Sequence, residues 1–212
     1  MIQIIPAILA TTPEKYQEDI EKLNDSEDLK EDGWVHIDFM DNLLVPNKSI
    51  DVETVEKYPT HLKKEAHLMV EKPMDWIVKL KDAGFSRVIF HFESKDTPQE
   101  VIKLIKESGM ESGIALNPET DPEVIKDLES LDLVLIMGVK PGFQGQPFEE
   151  NTYERIEKAA TYNEYVSVDG AVKDDNALKL MQSGAKILVS GSFILNGNID
   201  EQVEKIWEIV QG

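Results

Sequence analysis

Apolar runs and amphipathic segments alternate along the chain. Each run is rich in Val, Ile, Leu and Phe, which is typical of a buried strand, and the segment after it has the apolar spacing of a helix face. The pattern predicts eight strands, at residues 1–9, 33–40, 64–70, 87–92, 111–116, 131–137, 165–169 and 185–190. It predicts a helix after each strand, at 12–23, 50–58, 73–83, 97–109, from 121, 148–160, 174–183 and 199–211.

This regular alternation indicates parallel strands joined by right-handed crossovers. Eight such units in 212 residues predict a (β/α)8 TIM barrel, a single α/β domain over residues 1–212, near the lower size limit of that fold. An open doubly wound sheet is the alternative. No G-x-G-x-x-G follows the first predicted strand, which counts against a dinucleotide-binding version of such a sheet.

The composition excludes several classes of function. The chain contains no Cys, so disulfides and thiol chemistry are excluded and any metal must be held by His and carboxylate ligands. A net charge of −19 argues against nucleic acid and anionic membranes as partners, because both attract Lys and Arg clusters. The sequence has no apolar run of about 18 residues, and its start lacks the basic region of a signal peptide. We therefore expect a cytoplasmic protein with a small-molecule partner.

Two polar residues interrupt the second predicted strand. His36 and Asp38 are two positions apart, so their side chains point to the same side of the strand. A buried imidazole and a buried carboxylate are unfavourable unless both are satisfied. Taken alone, the two residues are best explained as a hydrogen-bonded pair; the other interpretation is half of a metal site.

Two further polar residues favour the metal site. His67 ends the third predicted strand and Asp169 ends the seventh. Barrel enzymes place their chemistry at the carboxyl ends of the strands, so two His and two Asp would converge there on a divalent metal. Separately, His67 is explained as a core histidine and Asp169 as a helix cap, whereas one site explains all four residues together.

Methionines and glycines cluster at the same end of the predicted barrel. Methionine is ordinarily a core residue, but three methionines end strands and are expected to form an apolar surface around the metal: Met40, Met69 and Met137. Glycine-rich turns let backbone N–H groups approach an anion, and barrels often hold a phosphate after the last strands. A phosphate site is therefore predicted at Gly142, Gly145, Gly170, Gly191 and Ser192, although each turn alone is explained as a tight connection.

A metal, a phosphate site and two carboxylates together indicate proton chemistry on a sugar phosphate. The metal would polarise a carbonyl and stabilise the enediolate that forms when an α-proton leaves. Asp38 and Asp169, on opposite faces of the substrate, would remove a proton from one side and return one to the other. That outcome is epimerisation.

The motifs resemble those of the ribulose-phosphate 3-epimerase family over nearly the whole chain. Their order and approximate spacing match as well. The matching segments are His36-Ile37-Asp38-Phe39-Met40-Asp41, Val45-Pro46-Asn47, His67-Leu68-Met69-Val70 with Pro73, Phe90-His91-Phe92-Glu93, Leu116-Asn117-Pro118, Met137-Gly138-Val139-Lys140-Pro141-Gly142-Phe143-Gln144-Gly145-Gln146, Val168-Asp169-Gly170, Gly184-Ala185 and Val189-Ser190-Gly191-Ser192.

The resemblance implies a metal-dependent isomerase that converts D-ribulose 5-phosphate to D-xylulose 5-phosphate in the pentose phosphate pathway. It implies one divalent metal, often zinc, with iron, manganese or cobalt as alternatives, and a dimer or hexamer. The implied metal ligands are His36, Asp38, His67 and Asp169, and the implied acid/base pair is Asp38 and Asp169. The methionines match the family's cap on the intermediate, and the glycines with Ser192 match its phosphate loops.

The chain departs from the family's pattern around the substrate. The differing positions are Ala7, Asn42, Lys140, Gln144 and Ala171, where the family usually has Ser, Gly, Asn, Gly and Gly. These changes leave open the same chemistry on another ketose phosphate such as D-allulose 6-phosphate. They also motivate a barrel that binds a sugar phosphate without turnover, against which the intact set of two His and two Asp argues. A phosphosugar lyase of the related barrel group is a further alternative, but such lyases do not share that set.

Overall fold

The computed structural model describes residues 2–30, 33–143 and 145–211. In this part of the chain, parallel strands form one closed barrel in which each strand pairs with the next and the last pairs with the first. The strands are β1 (Gln3–Ile8), β2 (Trp34–Met40), β3 (Lys63–Met69), β4 (Arg87–His91), β5 (Glu111–Leu116), β6 (Leu133–Met137), β7 (Val166–Asp169) and β8 (Ile187–Ser190). The predicted (β/α)8 barrel is confirmed, and the open sheet was wrong.

The helices surround this barrel. They are α1 (Pro13–Asn24), α2 (Val52–Lys57), α3 (Ile77–Asp82), α4 (Pro98–Glu107), α5 (Thr152–Ala160), α6 (Asp174–Gln182), α7 (Ser192–Leu195) and α8 (Ile199–Gln211), with 3-10 helices at Pro73–Asp75 and Pro122–Ile125. In α1, Thr12 caps the first turn by accepting a hydrogen bond from the Lys15 N–H at 3.2 Å, as the Thr-Pro start indicates. Within the described ranges, no helix is long and apolar enough to cross a membrane.

Four helices differ from the prediction. The segment predicted as one helix at 73–83 forms a 3-10 turn at Pro73–Asp75 and then α3 from Ile77. The segment after Asp121 forms only a 3-10 turn, and Ser130 has a left-handed φ of +62° that a continued helix would not allow. Helix α5 begins at Thr152 rather than 148, because the Glu149 N–H donates to the carbonyl of Gly138 at 2.9 Å and ties the preceding segment to the end of β6. The short helix α7 was not predicted.

Strand register decides which side chains fill the barrel. The interior carries an apolar cluster of Ile5, Ala7, Ile89, Ala115, Leu133, Leu135, Met137, Ile187 and Val189. The opposite strand faces pack against the helices in the larger core, as expected for strands that are buried on both sides. On β2, β3 and β7 the interior positions become polar, and these positions form the candidate site.

Candidate active site

Four polar side chains meet at the carboxyl end of the barrel, as the sequence predicts. His36 and Asp38 come from β2, His67 from β3 and Asp169 from β7, and each offers a ligand atom within 4.8 Å of the others. Asp38 Oδ1 lies 3.3 Å from His36 Nε2 and 2.8 Å from His67 Nδ1, and His67 Nδ1 lies 3.8 Å from Asp169 Oδ2. Two imidazole nitrogens and two carboxylate oxygens therefore converge on one point.

Strand pairing explains this convergence. Asp38 and His67 are direct partners in the β2–β3 register, and side chains two apart on a strand share a face, which adds His36. Asp169 ends β7, where it pairs with Met137 of β6. Closure of the barrel brings that strand end opposite β2.

The four residues fit a divalent cation. His36 Nε2 is buried and has no hydrogen-bond partner, although a buried polar nitrogen is ordinarily satisfied. A donor set of two nitrogens and two oxygens suits zinc and the neighbouring transition metals. The group could therefore hold a metal ion, and a cation at the centre would satisfy the unpaired nitrogen.

Without a cation, these groups perturb one another's pKa. Burial lowers the pKa of His36, but the carboxylates of Asp38 and Glu65 outweigh burial and hold that pKa well above its ordinary value. Burial raises the pKa of Asp38, but the neighbouring imidazoles of His36 and His67 reverse the shift and hold it well below its usual range. Burial raises the pKa of Asp169, with Asp38 adding to the effect and His36 opposing it. The two carboxyl groups are thus shifted in opposite directions.

A row of charged residues behind His36 was not predicted. His36 Nδ1 lies 2.6 Å from Glu65 Oε1, Glu65 Oε2 accepts from Arg87 Nη1 at 2.7 Å, and Arg87 Nη2 lies 2.6 Å from Glu111 Oε2. These four residues are successive partners in the register of β2 to β5. The available signal was Glu65, a carboxylate two positions before His67 that begins the buried part of β3.

The glycine turns lie across the mouth from His36. A cavity of about 660 Å³ opens there, and its lining includes Asp38 and Asp169 together with Gly145, Gly170, Gly191 and Ser192. Gly170 has a φ of +107°, and a Cβ at this position would lie 2.7 Å from Val139 Cγ2, so only glycine fits without rearrangement. Four of the five predicted phosphate residues therefore line one cavity with the two aspartates.

Gly142, the fifth predicted phosphate residue, lies in the loop after β6 but does not line this cavity. Its carbonyl accepts from Asn47 Nδ2 at 2.8 Å, and its α-carbon faces Val45. This contact connects the loop after β6 to the loop after β2, over the mouth of the barrel. Gln144, one of the positions that departs from the family pattern, lies outside the described residues.

The other predicted positions are buried or form part of the rim. Met40 and Met69 are buried with Val45 at the mouth, where the partly buried Leu9 packs against them, and Met137 belongs to the interior cluster. Two of the departures from the family pattern adopt a left-handed backbone, Asn42 at φ +63° and Ala171 at φ +54°. Ala7 and Ala171 line the cavity, and Lys140 is paired with Glu119 at 3.2 Å on the surface.

The fold and the four-residue group define a (β/α)8 barrel with a candidate metal centre at its mouth. The chain belongs to the ribulose-phosphate 3-epimerase family, whose model matches residues 3–195. It is 37% identical over 180 residues to ribulose-phosphate 3-epimerase of Schizosaccharomyces pombe, covering 80% of this chain and 78% of that one. It is 34% identical over 207 residues to ribulose-phosphate 3-epimerase of Bacillus subtilis, covering 92% of each chain.

A solved structure extends the comparison of the fold. 3-Hexulose-6-phosphate synthase superposes with a TM-score of 0.71 at 16% identity, covering 99% of this chain and 100% of that chain. At this identity the likeness concerns the barrel alone.

The raised pKa of His36 predicts that metal affinity depends on pH. A cation at Nε2 must displace a proton, so the affinity for Zn²⁺ should fall by about tenfold per pH unit below that pKa. Competition with a chromogenic chelator between pH 6 and pH 8.5 measures the slope, after correction for the chelator's own protonation. Glu65→Gln neutralises one of the two carboxylates that raise the pKa of His36. In this variant the fall in zinc affinity should therefore begin at a lower pH. An affinity independent of pH would contradict the prediction.

Proposed function

We propose that the protein is an isomerase that epimerises D-ribulose 5-phosphate to D-xylulose 5-phosphate at C3, through a 2,3-enediolate. Membership of the ribulose-phosphate 3-epimerase family over residues 3–195 carries this proposal, and the curated relatives have this name at 32–37% identity. The geometry supports it because two carboxylates reach one point from β2 and β7.

Asp38 and Asp169 are proposed as the acid/base pair. Epimerisation needs one group to remove the C3 proton from one face and a second group to deliver a proton to the other face. Both aspartates line the cavity that would hold the substrate, and they come from strands on different sides of the barrel. A divalent cation bound by His36, Asp38, His67 and Asp169 would polarise the carbonyl and stabilise the negative charge that develops on the substrate.

The remaining groups are proposed to bind and enclose the substrate. Backbone N–H groups near Gly145, Gly170 and Gly191 would hold the phosphate with the Ser192 hydroxyl, and Gly142 would help to shape the loop over it. Met40, Met69 and Met137 would cover the intermediate and exclude water.

Several finer assignments belong to the same proposal. Zinc is proposed as the metal, with iron, manganese or cobalt as alternatives, because all accept nitrogen and oxygen ligands. A homo-dimer or hexamer, a single domain over residues 1–212, a cytoplasmic location and a role in the pentose phosphate pathway are proposed from the family resemblance and the composition.

The function is tested by following xylulose 5-phosphate formation from ribulose 5-phosphate. Turnover should be lost after treatment with a chelator and should return when Zn²⁺, Fe²⁺, Mn²⁺ or Co²⁺ is added. The absence of turnover with all four metals would refute the proposal.

D-Allulose 6-phosphate is the second candidate substrate. Ala7 and Ala171, which replace the family's usual Ser and Gly, both line the cavity, and they change its polarity and shape next to Asp169. The two ketose phosphates are therefore assayed in parallel, and the larger kcat/KM identifies the preferred substrate.

A negative charge at Ser192 should weaken substrate binding. Ser192 is exposed at the start of α7 and lines the cavity, so a carboxylate there would face the substrate phosphate. Like-charge juxtaposition costs several kcal/mol, and Ser192→Asp is expected to raise KM by about 10- to 100-fold, with a smaller change in kcat. The control is Ser130→Asp, because Ser130 is exposed and precedes β6 at the other end of the barrel. Equal KM values in the two variants would remove Ser192 from the phosphate site.

A further inference from the structure

His67 contacts a second buried histidine on the side away from Asp38. Nε2 of His67 lies 2.9 Å from Nε2 of His91, and the ring planes are inclined by 19° with centroids 5.0 Å apart. The nitrogens are much closer than the centroids, so the rings meet at their edges, where a ring N–H points. Both side chains are fully buried, so water does not compete for this contact.

A hydrogen bond between two ring nitrogens requires that one of them carries the proton. A neutral imidazole has one donor and one acceptor nitrogen. Nδ1 of His67 faces the candidate metal site, 2.8 Å from Asp38 Oδ1 and 3.8 Å from Asp169 Oδ2. A ligating Nδ1 needs a free lone pair, so the proton of His67 must lie on Nε2, and Nε2 of His91 must be the acceptor.

Glu93 completes this arrangement. When Nε2 of His91 accepts, the proton of His91 lies on Nδ1, which is 3.3 Å from Glu93 Oε2. Glu93 is itself held in place, because Oε1 accepts from the Asn117 backbone N–H at 3.0 Å and from the Thr120 hydroxyl. An ionised carboxylate has no proton to donate, so the opposite order of protons would leave Nδ1 of His91 facing Glu93 without a hydrogen bond.

We propose that His91, with Glu93, is a positioning residue that keeps His67 in the tautomer whose Nδ1 can bind a divalent cation. This inference rests on the metal centre of the proposed function. Without His91, the tautomer with Nδ1–H donating to Asp38 becomes the favoured one, and a cation must displace that proton. His36 has the corresponding arrangement, with its Nδ1 held by Glu65, so the outer nitrogen of each candidate ligand is oriented through a carboxylate.

The test measures zinc affinity of the 212-residue apoprotein by competition with a chromogenic chelator. His91→Phe keeps a planar ring and removes the acceptor, and we expect the Kd for Zn²⁺ to rise by about 10- to 100-fold. His91→Gln restores an acceptor oxygen and should recover part of the affinity, which a role in packing alone would not predict. The visible spectrum of bound Co²⁺ should change in His91→Phe and return towards wild type in His91→Gln.

His61→Phe is the matched control. His61 is exposed and precedes β3 at the other end of the barrel, so this variant should bind zinc with the wild-type Kd. Circular dichroism and thermal unfolding of each apoprotein establish that the variants are folded.

Three outcomes would overturn the assignment of His91. The first is a folded His91→Phe protein with the wild-type Kd, and the second is a His91→Gln protein that binds zinc as weakly as His91→Phe. If His91→Phe does not fold, Glu93→Met is measured instead, because it removes the terminal acceptor and keeps both imidazoles. Weaker zinc binding by Glu93→Met supports the proposal. An unchanged Kd in this variant is the third outcome and overturns it.

The failure of this inference differs from the failure of the proposed function. Zinc binding is measured without substrate. A wild-type protein that binds zinc but does not epimerise ribulose 5-phosphate refutes the function and leaves the assignment of His91 intact. An active enzyme whose His91→Phe variant keeps the wild-type Kd for zinc refutes the assignment of His91 and leaves the proposed function intact.

Discussion

Asp169→Asn is expected to lower kcat for epimerisation by about 10²- to 10⁴-fold, the range that general acid–base groups contribute. The amide has nearly the same shape as the carboxyl group, but it neither accepts nor delivers a proton at neutral pH. Asp169 lines the cavity with Ser192 and the glycine turns, and its substitution leaves these groups in place. Binding of inorganic phosphate to the variant should therefore remain measurable.

Loss of metal must be separated from loss of the proton carrier in this variant. The kinetics are measured at saturating Zn²⁺, and the bound metal is quantified in the same samples. Asp82→Asn is the control, because Asp82 is exposed at the end of α3, away from the mouth. Wild-type kcat in a metal-loaded Asp169→Asn protein would remove Asp169 from the acid/base pair.

Proton exchange gives a sharper form of the same prediction. If Asp38 and Asp169 serve opposite faces, each single Asn variant keeps one carboxylate that can exchange the C3 proton of one epimer with solvent. In ²H₂O, Asp169→Asn and Asp38→Asn should therefore incorporate deuterium into different epimers. Incorporation into the same epimer by both variants would contradict a two-sided mechanism.

The barrel and the four-residue group could be predicted because their signals are local. Strand β6 is apolar throughout, as a strand buried on both faces must be, while β2 has polar residues only on the side that faces the barrel interior. The fold places strand ends together at one mouth. Asp38, His67 and Asp169 lie in the carboxyl halves of their strands, and His36 shares a strand face with Asp38, so strand position and period bring the four residues together.

The hydrogen bonds behind these residues could not be predicted, because they depend on register. Glu65 meets His36 and Arg87 only because the three are partners across β2, β3 and β4, and a slip of one residue would turn each side chain to the other face. The contact between His67 and His91 also needs the ring orientations. For the segment from Pro122, the sequence showed a helix start, but the 3-10 turn ends at Ile125, and the left-handed backbone of Ser130 beyond it had no clear sequence signal.

The interior ion pair predicts the largest change in stability. The Arg87 side chain is only 9% exposed and that of Glu65 1% exposed, and Arg87 also lies over the Trp34 ring, 4.2 Å from its centroid. Arg87→Met would leave the Glu65 carboxylate buried with His36 as its remaining partner. Removing one member of a buried pair costs about 3–5 kcal/mol, and we expect a loss of this size in the free energy of unfolding of the apoprotein in urea at pH 7.

A double-mutant cycle and the pH dependence identify the cause of that loss. Glu65→Met with Arg87→Met removes both charges, so the double variant should be more stable than the sum of the two single effects implies. Lys103→Met is the control, because Lys103 forms an exposed i, i+4 pair with Glu107, and it should change stability by less than about 0.5 kcal/mol.

Burial raises the pKa of Glu65, but His36 and Arg87 reverse the shift and hold it below its ordinary value. Its contribution is therefore present above about pH 4.3 and is lost as the pH falls through the folded-state pKa. The difference in free energy of unfolding between wild type and Arg87→Met should shrink over that acid range. The reason is that protonation neutralises the buried Glu65 carboxylate, which has lost the Arg87 guanidinium in the variant. A difference that is constant down to pH 3 would instead attribute the loss to packing against Trp34.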